Sequence, residues 1–444
     1  MPCVSVTRKP SGTSVFVALR WRVASLVTGV AAGVLLNPLA LTLSAQSKAS
    51  TAPAAAAPSK PTQDYWVYVG AESADRIYRV RFGAAGTAVE KTIEIGELAS
   101  EMEGPHGLAI SRDGKYLYMT TGHGTPDGKY WRYALGPDTL VGRGILLGNF
   151  PASIDVTPDG LYTLSANFNL HGDMIPSTVS VVYTQNNTEV ARIVTCTMPH
   201  GSRVSPDGMH QYSTCMMDDQ LVEIDTRDFT VSRRFSLAKG KEGPLAADNT
   251  GEGVHDMASM NDRKTATPTA QPKAPTPTVD PAQQGRVAMG IEKHTMTPNS
   301  CSPTWAQPSI DGANILVACN KSDEILDINT KTWTVARRMK TGRGVYNLAV
   351  TADGKLLVAT LKQGSAVEIF DLATDKSVAQ VKTSNNIAHG VTLSPDSRYA
   401  FVSSEGVGAA AGKVDVIDLL TLAKVGTADV GQQASGIAFW KMSH

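Results

Sequence analysis

One repeated unit limits most strongly what this chain of 444 residues can fold into. An apolar strand, a turn that contains Asp and usually Gly, and a second apolar strand recur six times along the sequence. The turn aspartates are Asp113, Asp159, Asp207, Asp311, Asp353 and Asp396. They lie 42 to 48 residues apart except for one gap of 104 residues. A further pair of alternating apolar stretches follows each unit, so each repeat predicts four antiparallel strands.

The two ends of the chain supply the unit that is missing from this series. Residues 435–442 have the pattern of a first strand alone, and residues 65–81 supply a second and third strand without a first. Joining them closes the ring and removes the exposed sheet edges. The sequence therefore predicts an all-β fold over residues 63–444. It is a seven-bladed β-propeller of four-stranded antiparallel blades, closed by the N- and C-terminal strands.

The long gap between two repeats contains an insertion at about residues 238–300. Its middle is rich in Pro, whereas its flanks pair His255 with Met257 and His294 with Met296. A long loop that carries such side chains is more often functional than a simple connection.

The N-terminal segment predicts export. Residues 1–45 combine basic residues, an apolar stretch and the small-residue sequence Leu43-Ser44-Ala45, as in a cleaved signal peptide. Residues 46–62 are small and rich in Pro, which is typical of a linker. We therefore expect a periplasmic or otherwise exported protein, with an uncleaved membrane anchor as the alternative. The 41 basic and 41 acidic residues balance, which argues against a nucleic-acid partner.

The strand order predicts where the histidines lie. Histidines that enter a first strand, or that lie in a loop between a second and a third strand, share one end of the propeller, which we call the top face. Seven of the nine do so: His106, His123, His171, His200, His255, His294 and His389.

Each of these histidines alone is ordinarily a turn residue, but together they predict a metal site. Neutral imidazole binds copper, zinc, iron and nickel, and nearby methionines favour copper. The methionines near these histidines are Met174, Met198, Met216, Met217 and Met257.

The cysteines of two neighbouring repeats have the same spacing. Cys196 and Cys215 bracket one hairpin, and Cys301 and Cys319 bracket the next. In an exported protein this spacing predicts the disulfides Cys196–Cys215 and Cys301–Cys319. Pairing between blades, or a Cys215 thiolate that binds copper, remains open.

The strand sequences LYMTTG, LYTLSAN, ILVACN and YWVYVG, each beside a turn of the SPDG type, resemble the YVTN or lactonase-type propellers. With seven histidines at one end of the channel, the chain resembles a lactonase-type version of the nitrous oxide reductases. That resemblance implies a multinuclear copper–sulfide cluster on the seven histidines, with calcium as a further allowed ion. It implies reduction of nitrous oxide to dinitrogen, with Asp173 and Asp256 orienting the imidazoles.

This chain contains no cupredoxin domain after the last repeat, so the resemblance implies an external electron donor such as a cytochrome c or a cupredoxin. A homodimer is left open. The alternatives are a non-catalytic periplasmic binding propeller and a copper carrier. A hydrolytic lactonase is a further rival, but the sequence has no nucleophile elbow.

Overall fold

The computed structural model describes residues 60–97, 101–123, 128–246 and 299–443. The predicted signal peptide, residues 46–59 of the linker and residues 247–298 of the insertion lie outside these ranges. His255, His294 and His444 lie outside them as well. Within the described ranges, none of the helical segments has the length and apolar character needed to cross a membrane.

Seven antiparallel sheets form the blades of a propeller, which confirms the predicted fold. Blade 1 contains β1 (Tyr65–Ala71), β2 (Arg76–Gly83), β3 (Gly86–Glu94) and the last strand of the chain, β30 (Ala434–Met442). Blade 2 contains β4 (Pro105–Ile110), β5 (Tyr116–Thr121), β6 (Lys129–Ala134), β7 (Thr139–Leu140) and β8 (Ile145–Leu146). Blade 3 contains β9 (Pro151–Val156), β10 (Tyr162–Asn167), β11 (Pro176–Tyr183) and β12 (Thr188–Thr197).

The remaining blades follow in chain order. Blade 4 contains β13 (Pro199–Val204), β14 (His210–Cys215), β15 (Gln220–Asp225), β16 (Thr230–Ser236) and β17 (Gly243–Pro244). Blade 5 contains β18 (Pro303–Pro308), β19 (Asn314–Cys319), β20 (Glu324–Asn329) and β21 (Thr334–Lys340). Blade 6 contains β22 (Val345–Val350), β23 (Leu356–Leu361), β24 (Ala366–Asp371) and β25 (Lys376–Lys382). Blade 7 contains β26 (Ile387–Leu393), β27 (Tyr399–Glu405), β28 (Gly412–Asp418) and β29 (Ala423–Val430).

The terminal strands close the ring as the sequence predicts. Strand β30 pairs antiparallel with β1, with Met442 opposite Tyr65 and Ala434 opposite Ala71. The innermost strand of blade 1 therefore comes from the C terminus, and its other three strands come from the N terminus.

The repeated turn has a simple physical cause. The Asp113 carboxylate accepts a hydrogen bond from Ser111 Oγ at 2.7 Å and another from the backbone N–H of Lys115 at 3.1 Å. The same two contacts recur at Asp159, Asp207, Asp311, Asp353 and Asp396. The residue after each aspartate has a positive φ, which glycine adopts most readily. The Ser/Thr-x-Asp-Gly pattern thus fixes each hairpin between the two inner strands.

An apolar cluster fills each boundary between neighbouring blades. Between blades 7 and 1, for example, Phe401 and Val414 pack against Val67 and Val69, and all four are fully buried. Because the apolar side chains pack between the sheets, the innermost strands can direct polar side chains toward the central axis.

The two predicted disulfides, Cys196–Cys215 and Cys301–Cys319, are present. Cys215 therefore has no free thiolate, and the idea that it binds copper is wrong.

Candidate functional site

Equivalent positions of the seven innermost strands form a ring of side chains, which we call the axial ring. In each blade, the pairing of the innermost strand with the second strand is irregular over a short stretch. The ring member is the first residue of that stretch. The axial ring consists of His106, Ala152, His200, Thr304, Tyr346, His389 and Ser435.

Four aromatic members of the axial ring lie close together. The ring centre of His106 is 5.4 Å from that of His389 and 6.3 Å from that of His200. The ring centre of Tyr346 is 4.8 Å from that of His389 and 5.5 Å from that of His200. All four side chains are buried. Histidines from blades 2, 4 and 7 therefore meet at one end of the channel.

Backbone carbonyls set the protonation of these imidazoles. His106 Nδ1 lies 2.6 Å from the Ala152 carbonyl, and His200 Nδ1 lies 2.9 Å from the Thr304 carbonyl. Each carbonyl belongs to the axial-ring residue of the following blade. Since a carbonyl oxygen only accepts, Nδ1 carries the proton and Nε2 keeps its lone pair. His389 has the equivalent neighbour, Ser435, although its Nδ1 has no partner within hydrogen-bond geometry.

The glycine that follows each of these histidines makes room for the next blade. A Cβ at Gly201 would lie 2.2 Å from the Thr304 carbonyl oxygen, and one at Gly390 would lie 2.6 Å from the Ser435 carbonyl oxygen. Distances this short do not occur for real side chains, so the His-Gly pair is needed where an imidazole binds the adjacent blade.

Burial keeps the imidazoles of His200 and His389 neutral. Desolvation lowers the pKa of His200 to about 3, and the neighbouring His106 adds to this effect. Desolvation also holds the pKa of His389 well below its usual value, with a further contribution from nearby Lys362. Neutral imidazole is the form that binds a metal ion or accepts a proton.

A buried carboxylate links the axial ring to the histidine loops above it. Glu72 lies in a short 3-10 helix, Glu72–Ala74, directly after β1. Its Oε1 is 2.7 Å from His123 Nε2, and its Oε2 is 3.9 Å from His106 Nε2. The hydrogen bond to Glu72 raises the pKa of His123. The exposed side chain of His171 lies farther out, with its ring centre 6.4 Å from that of His123.

A second set of polar groups, from blades 6 and 7, lines the same face of the axial ring. Tyr346 Oη is 3.0 Å from His200 Nε2 and donates to it, because Nδ1 already holds the imidazole proton. Lys362 Nζ lies 4.4 Å from the ring centre of Tyr346 and 3.1 Å from Glu405 Oε1. Glu405 Oε1 is in turn 3.8 Å from His389 Nε2. Burial opposes the charge on Lys362, but Tyr346 and Glu405 outweigh it and raise the pKa of Lys362.

A cavity of about 250 Å³, the upper cavity, lies against the axial ring. One part of its wall is apolar and consists of Phe150, Phe168, Leu170 and Met216. The other part is polar and consists of Glu72, His106, His200, Tyr346, Lys362, His389, Glu405 and Gln433. The site can therefore enclose a small molecule between an apolar surface and several proton-bearing groups.

The predicted metal ligands divide into three groups. His106, His200 and His389 meet in the axial ring, His123 lies above them, and His171 lies in the exposed loop beyond. His255 and His294 fall outside the described residues. Within the described ranges, no three His, Cys, Asp or Glu side chains already stand in a metal-binding arrangement. Copper and calcium therefore remain predictions.

The other predicted contributors also differ in position. Met216 lines the upper cavity, Met217 packs beside the aromatic residues near it, and Met198 packs with Phe150 and Phe168. Met174 and Asp173 are exposed in the His171 loop. Asp256 and Met257 lie outside the described residues.

Sequence reasoning missed the groups that contact the histidines. Glu72, Lys362 and Glu405 come from the loops or strand ends that follow the second strands of blades 1, 6 and 7. Those positions correspond to the His123 and His171 loops, where the sequence predicts histidines, Asp173 and methionines as contributors but not Glu72, Lys362 or Glu405. Aligning the first strands would have found Tyr346, because the sequence Val345-Tyr346-Asn347 occupies the place of Pro105-His106-Gly107.

Solved structures with the same fold provide the comparison with known proteins. The periplasmic gluconolactonase of Pseudomonas aeruginosa is 16% identical, with a TM-score of 0.58, over 85% of this chain and 99% of that one. A putative 6-phosphogluconolactonase of Bacteroides fragilis is 15% identical, with a TM-score of 0.58, over 87% and 100%. Hydrazine synthase of Kuenenia stuttgartiensis is 16% identical, with a TM-score of 0.53, over 78% and 92%.

No family model matches the sequence, and no curated protein matches it. At these identities the structural likeness establishes the fold and leaves the activity to the site itself. The chain is a seven-bladed β-propeller whose structural neighbours include lactonase-type propellers.

Proposed function

We propose that this protein is an exported copper-dependent reductase that reduces nitrous oxide to dinitrogen in the upper cavity. One observation carries the proposal most directly. Three buried imidazoles from different blades meet at one cavity, and backbone carbonyls of the next blade bind or face their Nδ1 atoms. Outer hydrogen bonds of this kind orient histidine ligands of metal ions.

The donor set fits copper. His106, His200 and His389 would hold the metal through Nε2, and His123 and His171 would join them from the loops above. His255 and His294 complete the proposed ligand set. Met216 adds a thioether to the cavity wall, and thioether and imidazole together suit copper. A multinuclear copper–sulfide centre would supply the two electrons that the substrate receives, and an external donor would replace them.

The chain's own residues explain the rest of the reaction. Nitrous oxide takes up two electrons and two protons and yields dinitrogen and water. Phe150, Phe168 and Leu170 offer an apolar wall to this small and weakly polar substrate and exclude bulk water. Lys362 Nζ and Tyr346 Oη carry protons at the same cavity, and Glu405 connects Lys362 to the His389 side. These groups can deliver the protons as the N–O bond breaks.

The disulfides support export. Cys196–Cys215 and Cys301–Cys319 would be reduced in most cytosols but persist in the periplasm. A periplasmic location also gives access to soluble electron donors such as a cytochrome c or a cupredoxin.

The direct test measures the metal content of protein made in the periplasm. We expect several copper ions per chain together with acid-labile sulfide. Replacing His106 with Ala should lower the copper content, because the axial ring loses a central ligand. His210→Ala is the matched control, since His210 begins β14 at the opposite end of the blade beside the Asp207 turn.

The activity test follows nitrous oxide consumption by reduced, copper-loaded protein with an artificial electron donor. Dinitrogen formation by the wild type and its loss in His106→Ala would support the reductase. A single bound copper without turnover would instead indicate a copper carrier, and the absence of bound metal would indicate a binding propeller. Equal loss of copper in His106→Ala and His210→Ala would overturn the assignment of the site.

A further inference from the structure

A second, smaller cavity of about 30 Å³, the lower cavity, lies on the other side of the axial ring from the upper cavity. The same three imidazoles, His106, His200 and His389, line both cavities. The rest of the polar part of its wall consists of Ser153, Arg203, Trp305 and Asn347. A space of this size holds a water molecule or a single small ion.

Arg203 brings a positive charge to this cavity and has no ion-pair partner in the described part of the chain. Its guanidinium donates to the Ser202 carbonyl at 3.0 Å and stacks 4.4 Å from the ring centre of Trp305. Asp155 attracts it, but in the described part of the chain the two groups do not form an ion pair. The Asp155 oxygens instead accept hydrogen bonds from the backbone N–H groups of Val156 and Val204, both at 2.9 Å.

A second guanidinium strengthens this imbalance. Arg112 lies close enough to repel Arg203 electrostatically, and it donates to the Val156 carbonyl at 3.1 Å. Two guanidinium groups and one carboxylate thus lie in this region, and the carboxylate oxygens bind backbone N–H groups rather than a guanidinium. Since an unpaired charge in a desolvated place is costly, a bound counter-ion would stabilise the folded protein.

Two buried polar groups on the cavity wall also have no partner. Trp305 and Asn347 are 7% and 5% exposed, and neither Trp305 Nε1 nor Asn347 Oδ1 has a hydrogen-bond partner within the described residues. Indole Nε1 can only donate, and an Asn amide can turn by 180° to present its N–H groups. The unused Trp305 donor, and the Asn347 amide once it is turned, thus offer N–H groups beside a guanidinium without an ion-pair partner, as an anion requires.

We propose that the lower cavity binds one small monovalent anion of halide size. Arg203 provides the charge, Trp305 and Asn347 provide N–H donors, and the imidazoles above add no competing negative charge. The site shares three imidazoles with the proposed copper centre, but its charge and its N–H donors come from other residues, so the proposal does not depend on bound copper.

Bromide identifies the site directly. We expect crystals of the full chain soaked in bromide to show one anomalous peak between Arg203 and Trp305. In solution, replacing a bulky organic anion with chloride at equal ionic strength should raise the Tm by about 2 °C at ten times the dissociation constant. The rise should be the same with and without a copper chelator.

Variants separate this site from general salt effects. Arg203→Gln should lose the chloride-dependent rise in Tm, whereas Arg203→Lys should keep part of it because the charge remains. Arg227→Gln is the matched control, since Arg227 is an arginine with a largely exposed side chain, and it should respond as the wild type does.

A water molecule in place of bromide in the soaked crystals would overturn the proposal, as would an equal chloride response in wild type and Arg203→Gln. If Arg203→Gln does not fold, the bromide peak in the wild type and the response of Arg203→Lys still decide the question. A halide response without copper binding would separate this inference from the proposed reductase.

Discussion

At the scale of single residues, the buried His200 of the axial ring has a measurable effect on stability. His200 has a pKa of about 3 in the folded protein, whereas in the unfolded chain it returns to the ordinary value of 6.5. Between these values the unfolded state binds a proton that the folded state does not. The contribution of His200 to the free energy of unfolding is therefore fully present above pH 6.5, and it decreases as the pH falls toward 3.

We predict that metal-free protein loses roughly 2 to 3 kcal/mol through His200 between pH 7 and pH 4.5. Urea unfolding at both pH values measures this loss. His200→Gln should lose that much less on acidification than the wild type, because glutamine does not titrate. His210→Gln, which lies outside the axial ring, is the control. An identical acid-induced loss in wild type and His200→Gln would contradict the prediction.

The residue scale also shows where sequence reasoning ends. The positions of His106, His200 and His389 follow from the repeat, because the phase of the strands fixes which residues face the axis. Their partners depend on contacts between blades that the repeat does not encode. Glu72 meets His123 and His106 across a blade boundary, and Lys362 meets Glu405 across another. Such pairs can be identified only from a structure in which the neighbouring blades are packed against each other.

At the scale of elements, the site depends on how closely one innermost strand approaches the next. The pairing of β13 with β14 is irregular between Pro199 and Ser202, at the position where His200 reaches toward blade 5. Similar irregularities interrupt β4, β22 and β26 at the equivalent place. A bulge re-aims a side chain without ending the strand. The bulged strand and the following glycine together direct the imidazole to its carbonyl.

We predict that Gly201→Ala destabilises the protein by about 1 to 3 kcal/mol. The new methyl group would collide with the Thr304 carbonyl, a backbone atom that cannot turn aside, and would separate His200 Nδ1 from its acceptor. Gly243→Ala is the control, because a Cβ there meets open space and its φ is not positive. Chemical denaturation compares the two. Equal stability of both variants would show that the blades are not in close contact at Gly201.

At the scale of the whole molecule, the pairing of β30 with β1 holds the ring closed. We predict that a chain lacking residues 434–443 loses cooperative thermal unfolding, because β1 keeps an unpaired edge and the apolar clusters beside blade 1 open. A synthetic peptide covering residues 432–444 should restore the transition when it is added in trans. Calorimetry of the truncated chain with and without the peptide is the measurement. A truncated chain that melts as the full chain does would disprove closure by β30.

The global architecture could be predicted because it repeats. Six turns with the same aspartate, and two incomplete units at the termini, leave a seven-membered ring as the arrangement that pairs every inner strand. The hairpin disulfides followed from the same repeat, since Cys215 and Cys319 occupy equivalent positions. The chemistry at the axis breaks the repeat, because four of the seven ring positions hold Ala152, Thr304, Tyr346 and Ser435 in place of histidine. A pattern based on similarity between units gives no account of such differences.

Because the last strand closes the ring, the site forms only after the C-terminal residues have joined the fold. His389 packs beside Ser435, and Glu72 donates its backbone N–H to the Gln433 carbonyl at 3.0 Å, so both ends of the polypeptide are needed to finish the site. If the chain is exported as proposed, a nascent chain that is still crossing the membrane lacks this arrangement. At the proposed copper site, the metal would then have to be inserted after translocation, by factors on the far side of the membrane.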